Sequence, residues 1–420
     1  MLQISKLSND LQLVSTYMPA INSVSINILV KIGSRYESEA EHGMCHFLEH
    51  MAFKGTQKRT YQQIAVEFDT IGGQFNAYTS KEHTVYCAKV LSKHIHIAMD
   101  ILADILQNSK FDQEEIDKER NVIFQEMAAV LDNPDELVYD NLTEIVFDKQ
   151  ALGKSILGSK ESISKFNTSS FEQYTQRHYH SDNIIISVAG NITHADFQTL
   201  AQDFFGSLPN GQKASYEQGY YTPGNIIVSK DLEQVNLILS FQGVSYVNEQ
   251  EFYKAQVLSL ILGGGLSSRL FQNIREKHGL VYSVGSFNSS YSDLGLFCLY
   301  GSTTPENLDN LLCQLHNEVS SICSNISCGE LTRAKDQIQA SMIMAEEESG
   351  YKSETSAKNL AIFGRQINFE EILKQINALE VNDILQSARS IFSSKLTLSA
   401  IGPDLKLEYE KIAQQFKGLI

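Results

Sequence analysis

Two histidines and a glutamate fall within five consecutive residues, His46-Phe47-Leu48-Glu49-His50. In a helix, positions i, i+3 and i+4 share one face, so His46, Glu49 and His50 would project together from about one turn. Two imidazoles on one helix face suit zinc. The carboxylate between them suits a general base acting on a water molecule that zinc activates. The order HxxEH reverses the commoner HExxH, and the motif predicts a zinc site that lacks its third ligand.

The best candidate for that ligand lies in FDQEEIDKERNVIFQEMAAVL, which predicts an amphipathic helix. Glu119 and Glu126 share one face of this helix, and Val122 and Ile123 on the same face predict that it is partly buried. The alternative is an acidic stripe on a solvated surface. Acidic residues on a buried face need a partner, which the HxxEH helix would supply. Glu126 is therefore the leading third ligand, and Glu119 is expected to support a ligand imidazole by hydrogen bonding.

Alternating and helical patterns predict the elements that position these residues. The strand SVSINILVKIG and the polar loop GSRYESEAEHG lead into the motif helix. A helix in YQQIAVEFDTIG, two strands in FNAYTSKEHTVYCAKVL with a turn at Ser80-Lys81, and a helix in IHIAMDILADIL follow. The strand IIISVAGNI comes later, between segments with helical patterns. Helices and strands therefore alternate around the motif.

The second half of the chain repeats the first. QVNLILSFQGV resembles SVSINILVKIG, GLFCLYGSTTPENLDNLL resembles TVYCAKVLSKHIHIAMDIL, and SKLTLSAIG resembles NIIISVAGN. A polar stretch without periodicity, GQKASYEQGYYTPGN, lies between them. We therefore predict an α/β (α+β) fold of two homologous halves, each a mixed or antiparallel sheet with packed helices. The predicted domains are residues 1–208 and 225–420, joined by a linker at 209–224.

Only the first half is predicted to bind metal. The second half has no HxxEH, and it places Ser341 or Met342 near the position that corresponds to the third ligand. Neither a hydroxyl nor a thioether matches the carboxylate of Glu126 as a zinc ligand. The second domain is therefore expected to hold no metal.

Composition excludes several classes of protein. The chain has 420 residues, a net charge of −16, 42% hydrophobic and 20% charged residues, as in folded soluble proteins. The negative charge argues against a nucleic-acid or anionic-membrane partner. No apolar run is long enough to cross a bilayer, and the N-terminus does not have the pattern of a secretory signal. Six cysteines without paired spacing predict reduced thiols and a cytoplasmic protein.

Two other features could be interpreted as functional sites, but the sequence supports them less well than the zinc site. Gly263-Gly264-Gly265 invites a phosphate-loop interpretation, but the Lys-Ser/Thr ending is missing, so a turn or hinge at a helix start is favoured. His178 and His180 are two residues apart, which places them on opposite faces of a strand or about 200° apart on a helix. We interpret them as ordinary polar positions. Neither feature changes the zinc hypothesis.

The motif and its surroundings resemble the pitrilysin, insulin-degrading enzyme and mitochondrial processing peptidase family of inverse-motif zinc peptidases. In that family HxxEH is followed by a ligand glutamate about 76 residues on, and Glu126 lies 76 residues beyond His50 (126 − 50). GSRYE, FKGT, GGQFNAYTSKEHTVY and SRLFQNIREKHGLVYSV are also similar to family segments, and the likeness runs from about residue 5 to residue 410. The chain resembles a short, two-domain, bacterial-type member.

The resemblance implies the site residues and their roles. His46, His50 and Glu126 would bind one Zn²⁺ per chain, with Glu49 as general base and Glu119 supporting the site. The two halves would face each other as a clamshell. Arg275 and Tyr282 would hold the substrate carbonyl or the developing oxyanion. Residues near the edge of a sheet, Asn76 and Ala77, would lie nearest the scissile bond of an extended peptide that pairs with that edge.

The expected function is a zinc-dependent endopeptidase that cleaves extended or unfolded peptides, with folded proteins as poor substrates. The negative charge adds the hypothesis that basic, presequence-like peptides are favoured. The alternative is a non-catalytic peptide-binding or scaffold subunit that needs a partner chain, although the metal-binding motif shows no damage. A short member of this family usually pairs with a second chain, so a homodimer is predicted.

Overall fold

The computed structural model describes residues 2–417 and contains two sets of regular elements. The strands are β1 (Leu2–Lys6), β2 (Gln12–Tyr17), β3 (Ser23–Val30), β4 (Gln74–Thr79), β5 (Thr84–Leu91), β6 (Ile184–Gly190), β7 (Asn225–Ser229), β8 (Val235–Gly243), β9 (Ser283–Ser290), β10 (Gly295–Thr303) and β11 (Thr397–Gly402). The helices are α1 (Met44–Ala52), α2 (Tyr61–Thr70), α3 (Ile95–Gln107), α4 (Gln113–Asp132), α5 (Pro134–Val146), α6 (Lys160–Ile163), α7 (Thr168–His178), α8 (His194–Phe205), α9 (Glu249–Gly263), α10 (Leu308–Ser324), α11 (Cys328–Glu346), α12 (Ser349–Phe363), α13 (Phe369–Ala378), α14 (Val381–Phe392) and α15 (Tyr409–Lys417).

The two sheets have matching topologies. The first has the order β1-β2-β6-β3-β5-β4, and the second has the order β7-β11-β8-β10-β9. In each sheet one pair is parallel, β2 with β6 and β7 with β11, and the other pairs are antiparallel. The repeated sequence segments occupy corresponding strands, since β3, β5 and β6 match β8, β10 and β11. The predicted α/β fold with one mixed sheet in each half is confirmed.

The chain forms two compact units that are discontinuous in sequence. The first unit comprises residues up to Ala128, Lys154–Glu217 and Ile343–Gln366, and the second comprises Ala129–Gly153, Gln218–Met342 and the chain from Ile367 onward. These units differ from the continuous domains 1–208 and 225–420 because two helices pack on the sheet of the other half of the sequence. Helix α5 packs on β7, β8 and β11, and α12 packs on β2, β3 and β6.

The main core of the first unit lies on one face of its sheet, against α1, α3 and neighbouring helices. Its largest fully buried side chains include Phe47, Phe68, Phe171 and Phe197. The opposite face carries a smaller apolar cluster, in which Leu360 of α12 packs with strand residues. A fully buried aromatic side chain contributes roughly 1.5–3 kcal/mol to stability. The motif helix α1 is therefore fixed against the better-packed face.

Several local expectations were wrong. Gly263-Gly264-Gly265 does not lie at a helix start, because α9 ends at Gly263 and a separate π-helical segment begins only at Phe271. Each glycine inside a helix costs about 1 kcal/mol relative to alanine, so three in a row favour a break at the end of α9 rather than a hinge at a helix start. Val122 is 44% exposed, whereas Ile123 is fully buried. The buried face of α4 is therefore narrower than predicted.

The remaining segments agree with their patterns. Residues 209–224, the predicted linker, contain no helix or strand. The turn at Ser80-Lys81 joins β4 to β5. All six cysteines lie within the described residues, and they are free thiols. No helix between residues 2 and 417 is both long and apolar enough to cross a membrane.

Candidate metal centre

Helix α1 carries the HxxEH residues, and its start is held by a buried glutamate. Gly43 precedes the helix with φ of 90°, a left-handed conformation that favours glycine. A Cβ there would lie 2.7 Å from the Cα of Gly158, so the position also needs a small residue. The Glu37 carboxylate accepts hydrogen bonds from the backbone N–H groups of Gly43 at 2.8 Å and Cys45 at 2.7 Å. Glu37 thus supplies the cap that a side chain at position 43 would otherwise provide.

The predicted ligands lie together. His46 Nε2 and His50 Nε2 are each 3.6 Å from Glu126 Oε2, and one donor atom from each of the three residues lies within 4.8 Å of the others. His46 and His50 come from α1, as the helical spacing predicts, and Glu126 comes from α4. The structure therefore brings the third ligand to the two histidines across 76 residues of sequence.

The donor set fits zinc. Two imidazole nitrogens and one carboxylate oxygen form the ligand type of catalytic zinc sites, which keep a fourth position for water or substrate. Ligand atoms about 2.0–2.1 Å from a tetrahedral zinc are about 3.4 Å apart, close to the observed 3.6 Å separations. Glu126 has a side chain that is 41% exposed, whereas His46 is buried. The group is therefore partly open on the carboxylate side.

Glu119 of α4 lies within hydrogen-bond distance of the imidazole of His50. Its Oε2 lies 3.1 Å from His50 Nδ1, which leaves His50 Nε2 for the metal side. The ammonium of Lys54 lies 2.5 Å from Glu119 Oε1. Glu119 is buried, and its pKa is lowered because its hydrogen bonds with His50 and Lys54 outweigh the effect of burial. The charged carboxylate can therefore fix the tautomer and orientation of His50.

Glu49 lies beside the ligand group and has one fixed oxygen. The hydroxyl of Thr79, the last residue of β4, donates a hydrogen bond of 2.6 Å to Glu49 Oε2. Burial raises the pKa of Glu49, and the Thr79 hydrogen bond partly opposes that shift. A carboxylate with a raised pKa is a better proton acceptor near neutral pH. Glu49 therefore has the position and the basicity of a general base.

Asn76 and Ala77 lie on an edge strand. Strand β4 ends the first sheet and, within residues 2–417, pairs only with β5. Asn76 is exposed and Ala77 is half-buried. The Asn76 Oδ1 atom accepts a hydrogen bond of 2.9 Å from the Ala77 N–H. Strand β4 also carries Thr79, whose hydroxyl bonds Glu49, so the strand with the open edge contacts the carboxylate of Glu49 on α1.

Arg275 and Tyr282 form their own contact in the second unit. Arg275 lies in the π-helical segment, and Tyr282 immediately precedes β9. The Arg275 guanidinium carbon is 5.0 Å from the centre of the Tyr282 ring and 4.7 Å from that of Phe271. Tyr282 is 77% exposed, so its ring lies at the surface of this unit. Both side chains are accessible for binding.

Neither His178 nor His180 belongs to the metal group, which agrees with the sequence interpretation. Both are nonetheless buried rather than at the surface. His180 Nε2 lies 3.0 Å from the carbonyl oxygen of Gln212 and 3.1 Å from the side-chain nitrogen of Asn183. This histidine therefore holds the start of the irregular segment 209–224.

Comparisons with known proteins place the chain in one family. Residues 12–160 match the model described as insulinase (peptidase family M16), and residues 165–338 match the peptidase M16 inactive domain. The chain belongs to peptidase family M16. An uncharacterized zinc protease of Rickettsia bellii is 48% identical over 401 residues, which cover 96% of this chain and 97% of that protein. The mitochondrial-processing peptidase subunit beta of Blastocladiella emersonii is 34% identical over 96% of this chain and 88% of its own length.

The M16 fold is also found among solved structures. The crystal structure of a protease from Helicobacter pylori matches with a TM-score of 0.88 and 22% sequence identity, covering 96% of this chain and 99% of that one. The M16 inactive domain matches the half of the sequence that lacks HxxEH. This agrees with the prediction that one half alone carries the metal motif.

Three residues that contact the candidate metal group or its helix were not predicted from the sequence. Glu37, Lys54 and Thr79 lie in GSRYE, FKGT and FNAYTS, segments that the sequence marks as similar to the family without indicating a role. Their partners are distant in sequence or are backbone groups, so no helical or strand periodicity connects them. The only signal in the sequence was that each of the three is a polar residue close to a helix or strand that was predicted around the HxxEH motif.

Proposed function

We propose that this chain is a zinc-dependent endopeptidase that cleaves extended or unfolded peptides. The observation that supports this most directly is the convergence of His46, His50 and Glu126 with Glu49 on the same helix face as the two histidines. A purely structural zinc site would be closed by four protein ligands, whereas the described residues provide three. Relatives named zinc proteases support the same reaction class.

Each residue of the site would have a separate role in the hydrolysis of the peptide bond. His46, His50 and Glu126 would hold zinc, which supplies polarisation of the peptide carbonyl and a lower pKa for the attacking water. Glu49 would accept the proton of that water at Oε1, because Oε2 is held by Thr79, and would then pass it to the leaving amine. Glu119 would keep His50 in the required orientation.

The open edge of β4 supports recognition of the peptide backbone. An extended peptide would pair with this edge, with Asn76 and Ala77 near the scissile bond. Arg275 and Tyr282 are our proposed contacts from the second unit to the substrate carbonyl or oxyanion. Backbone pairing requires an extended segment, so folded proteins should be poor substrates.

Basic, presequence-like peptides are the substrate class that we propose from charge. The net charge of −16 favours cationic ligands, and one relative is named as a subunit of the mitochondrial-processing peptidase. Cleavage rates of matched peptides that differ only in arginine content measure this preference. Equal cleavage rates for the matched peptides would contradict the preference for basic peptides.

The decisive experiment compares the wild type with Glu49→Gln on a quenched fluorescent peptide library. Zinc content is measured on both proteins, and Glu172→Gln, an exposed position on α7, serves as the matched control. We expect Glu49→Gln to retain about one zinc per chain and to lose at least about 100-fold in hydrolysis, because general base catalysis contributes roughly 10²–10⁴-fold. Glu172→Gln should cleave like the wild type.

Two results would contradict the enzyme. Cleavage that persists in Glu49→Gln would show that Glu49 is not the general base. If the wild type binds zinc and leaves every peptide intact, the non-catalytic subunit becomes the better assignment, and a partner chain should be sought.

A homodimer and a cytoplasmic location complete the proposal. The likeness to a family whose members include paired subunits supports the dimer, and six free thiols support a reducing compartment. A single-chain mass in light scattering at micromolar concentration would contradict the dimer.

A further inference from the structure

A cavity of about 700 Å³ lies within the second unit, on the sheet face that α5 partly covers. Alternate residues of β8 point to opposite faces. Val235, Leu237 and Leu239 face the main core of this unit, whereas Ile238 faces α5. Asn236 shares the parity of Ile238 and lines the cavity. The cavity is therefore the part of this sheet face that α5 leaves open.

The floor of the cavity is aromatic. Phe287 of β9 and Tyr300 of β10 have ring centres 6.1 Å apart, and Tyr139 of α5 lies 5.9 Å from Phe287. The Tyr139 hydroxyl lies 2.9 Å from the Ser289 hydroxyl, which fixes that ring. Tyr300 covers Gly285, where a Cβ would lie 2.7 Å from the ring. The three rings are tilted to one another by 46° and 52°, and they form an angled apolar surface against which another aromatic ring can pack.

Asn236 presents a mostly buried carboxamide to the cavity. The residue is 9% exposed, and its amide atoms are not among the fully buried unpaired atoms of the described residues, so they open onto the cavity. Its neighbour Gln234 is different, because its Oε1 accepts a hydrogen bond of 2.9 Å from the Ser302 hydroxyl. A ligand that fills the cavity would exclude water from the Asn236 amide and would therefore need a group that hydrogen-bonds it. Asn236 therefore points to a ligand with a polar group on an apolar body.

The charge of the residues that line the cavity further restricts the class of ligand that it can bind. Asp135, at the exposed start of α5, is the one charged side chain among the described residues that line the cavity. A carboxylate at the rim disfavours an anionic ligand. A cation buried at Asn236 would lose its hydration without a buried counter-charge. A neutral aromatic group with a hydroxyl or N–H fits the lining best.

We propose that this cavity binds the side chain of tyrosine, or of another aromatic residue with a polar hydrogen, in a peptide held by the second unit. The proposal rests on the peptide-binding function proposed above and adds a preference that the zinc ligands do not provide. The ring would pack on Phe287 and Tyr300, and its hydroxyl would bond to Asn236. Tyr282, exposed at the rim, would contact the flanking residues of the same peptide.

The test measures peptide binding rather than cleavage, so that hydrolysis of the peptides does not affect the result. Full-length Glu49→Gln protein is titrated with fluorescein-labelled ten-residue peptides of alanine and serine that carry Tyr, Phe or Arg at the centre. We expect the Tyr peptide to bind about 5-fold more tightly than the Phe peptide, the size of one hydrogen bond. The Arg peptide measures the separate charge preference proposed above, and Asn236→Leu should leave its binding within about 2-fold.

The Asn236→Leu variant, made in the same background, keeps the size of the side chain and removes its hydrogen bond. It should bind the Tyr peptide as weakly as the Phe peptide and leave Phe binding within about 2-fold. Asn310→Leu, an exposed position on α10 outside the cavity, is the matched control and should keep the preference for Tyr. If Asn236→Leu folds poorly, Tyr300→Ala replaces it and should weaken both aromatic peptides.

Equal binding of the Tyr and Phe peptides, or a Tyr preference that survives Asn236→Leu, would each overturn the proposal. Failure of the proposed function has a different signature. Hydrolysis by the wild type without a Tyr preference would refute the cavity alone. A Tyr preference without any hydrolysis would refute the endopeptidase alone.

Discussion

At the scale of single residues, the two ligand histidines differ in protonation when no metal is bound. Burial, with a contribution from the charge of His50, lowers the pKa of His46 to about 4. Burial also acts against a charged His50, but the carboxylates of Glu119 and Glu126 outweigh it and raise the pKa of His50 to about 9. At pH 7, without metal, His50 would therefore be a charged imidazolium and His46 a neutral imidazole.

Zinc affinity should consequently depend on pH with a slope set by one proton. Zinc requires neutral imidazole, so each unit of pH between 6 and 8 should raise the affinity about 10-fold, and the rise should end near pH 9. Competition with a fluorescent chelator at pH 6, 7 and 8 measures this slope. Glu119→Gln should flatten the slope and weaken zinc binding at pH 8 about 10- to 100-fold. A wild-type affinity that does not change with pH would contradict the assignment.

At the scale of elements, the placement of α1 depends on a carboxyl group buried behind it. Burial raises the pKa of Glu37 to about 8, although the N–H groups of Cys45 and Gly43 act in the opposite direction. In the unfolded chain this pKa is about 4.5. The neutral carboxyl therefore stabilises the fold fully below pH 4.5, and this contribution is lost as the pH rises towards 8.

The unfolding free energy of the wild type should then fall relative to Glu37→Gln between pH 5 and pH 8. The fall should be at most about 1.4 kcal/mol per pH unit, since glutamine does not ionise. Urea unfolding of both proteins at the two pH values, with a chelator present to remove the effect of zinc, measures the difference. A difference that grows in favour of the wild type at pH 8 would show that the backbone N–H groups stabilise the carboxylate more than burial destabilises it.

At the scale of the whole molecule, each unit is completed by a helix from the other half of the sequence. In the first unit, Ser349 of α12 hydrogen-bonds Ser25 at 2.9 Å, Ser353 contacts Asn27, and Leu360 packs in the apolar cluster of that sheet face. Without α12, the face of β2, β3 and β6 would be open to water. An exposed apolar sheet face is a site of aggregation.

A fragment of residues 1–208 should therefore not fold stably by itself. We expect it to be insoluble, or to lack a cooperative thermal transition in circular dichroism, because its sheet lacks α12. Co-expression with residues 209–420 should restore solubility and zinc binding. A fragment 1–217 fused through a flexible linker to residues 343–366 is the control, and it should be more soluble than 1–208. A soluble, cooperatively unfolding 1–208 fragment would contradict this account.

The sequence by itself determined the features that depend on local periodicity and on spacing. His46, Glu49 and His50 share a face because 3.6 residues complete a helical turn, and strands β3, β5 and β6 with their counterparts β8, β10 and β11 follow from segments repeated in the two halves. Glu126 was found from its spacing and its place beside a buried stripe on α4. These signals lie within one element or in the order of elements along the chain.

Only the tertiary structure decided which distant residues meet. Thr79 reaches Glu49 because the end of an edge strand passes beside α1, and Glu37 reaches the start of α1 from a loop. Helices α5 and α12 each pack on the sheet of the other half of the sequence, so the compact units do not coincide with the two halves. The cavity beside Asn236 exists because α5 covers only part of a sheet face. Each outcome depends on packing between elements, which leaves no periodic trace in the sequence.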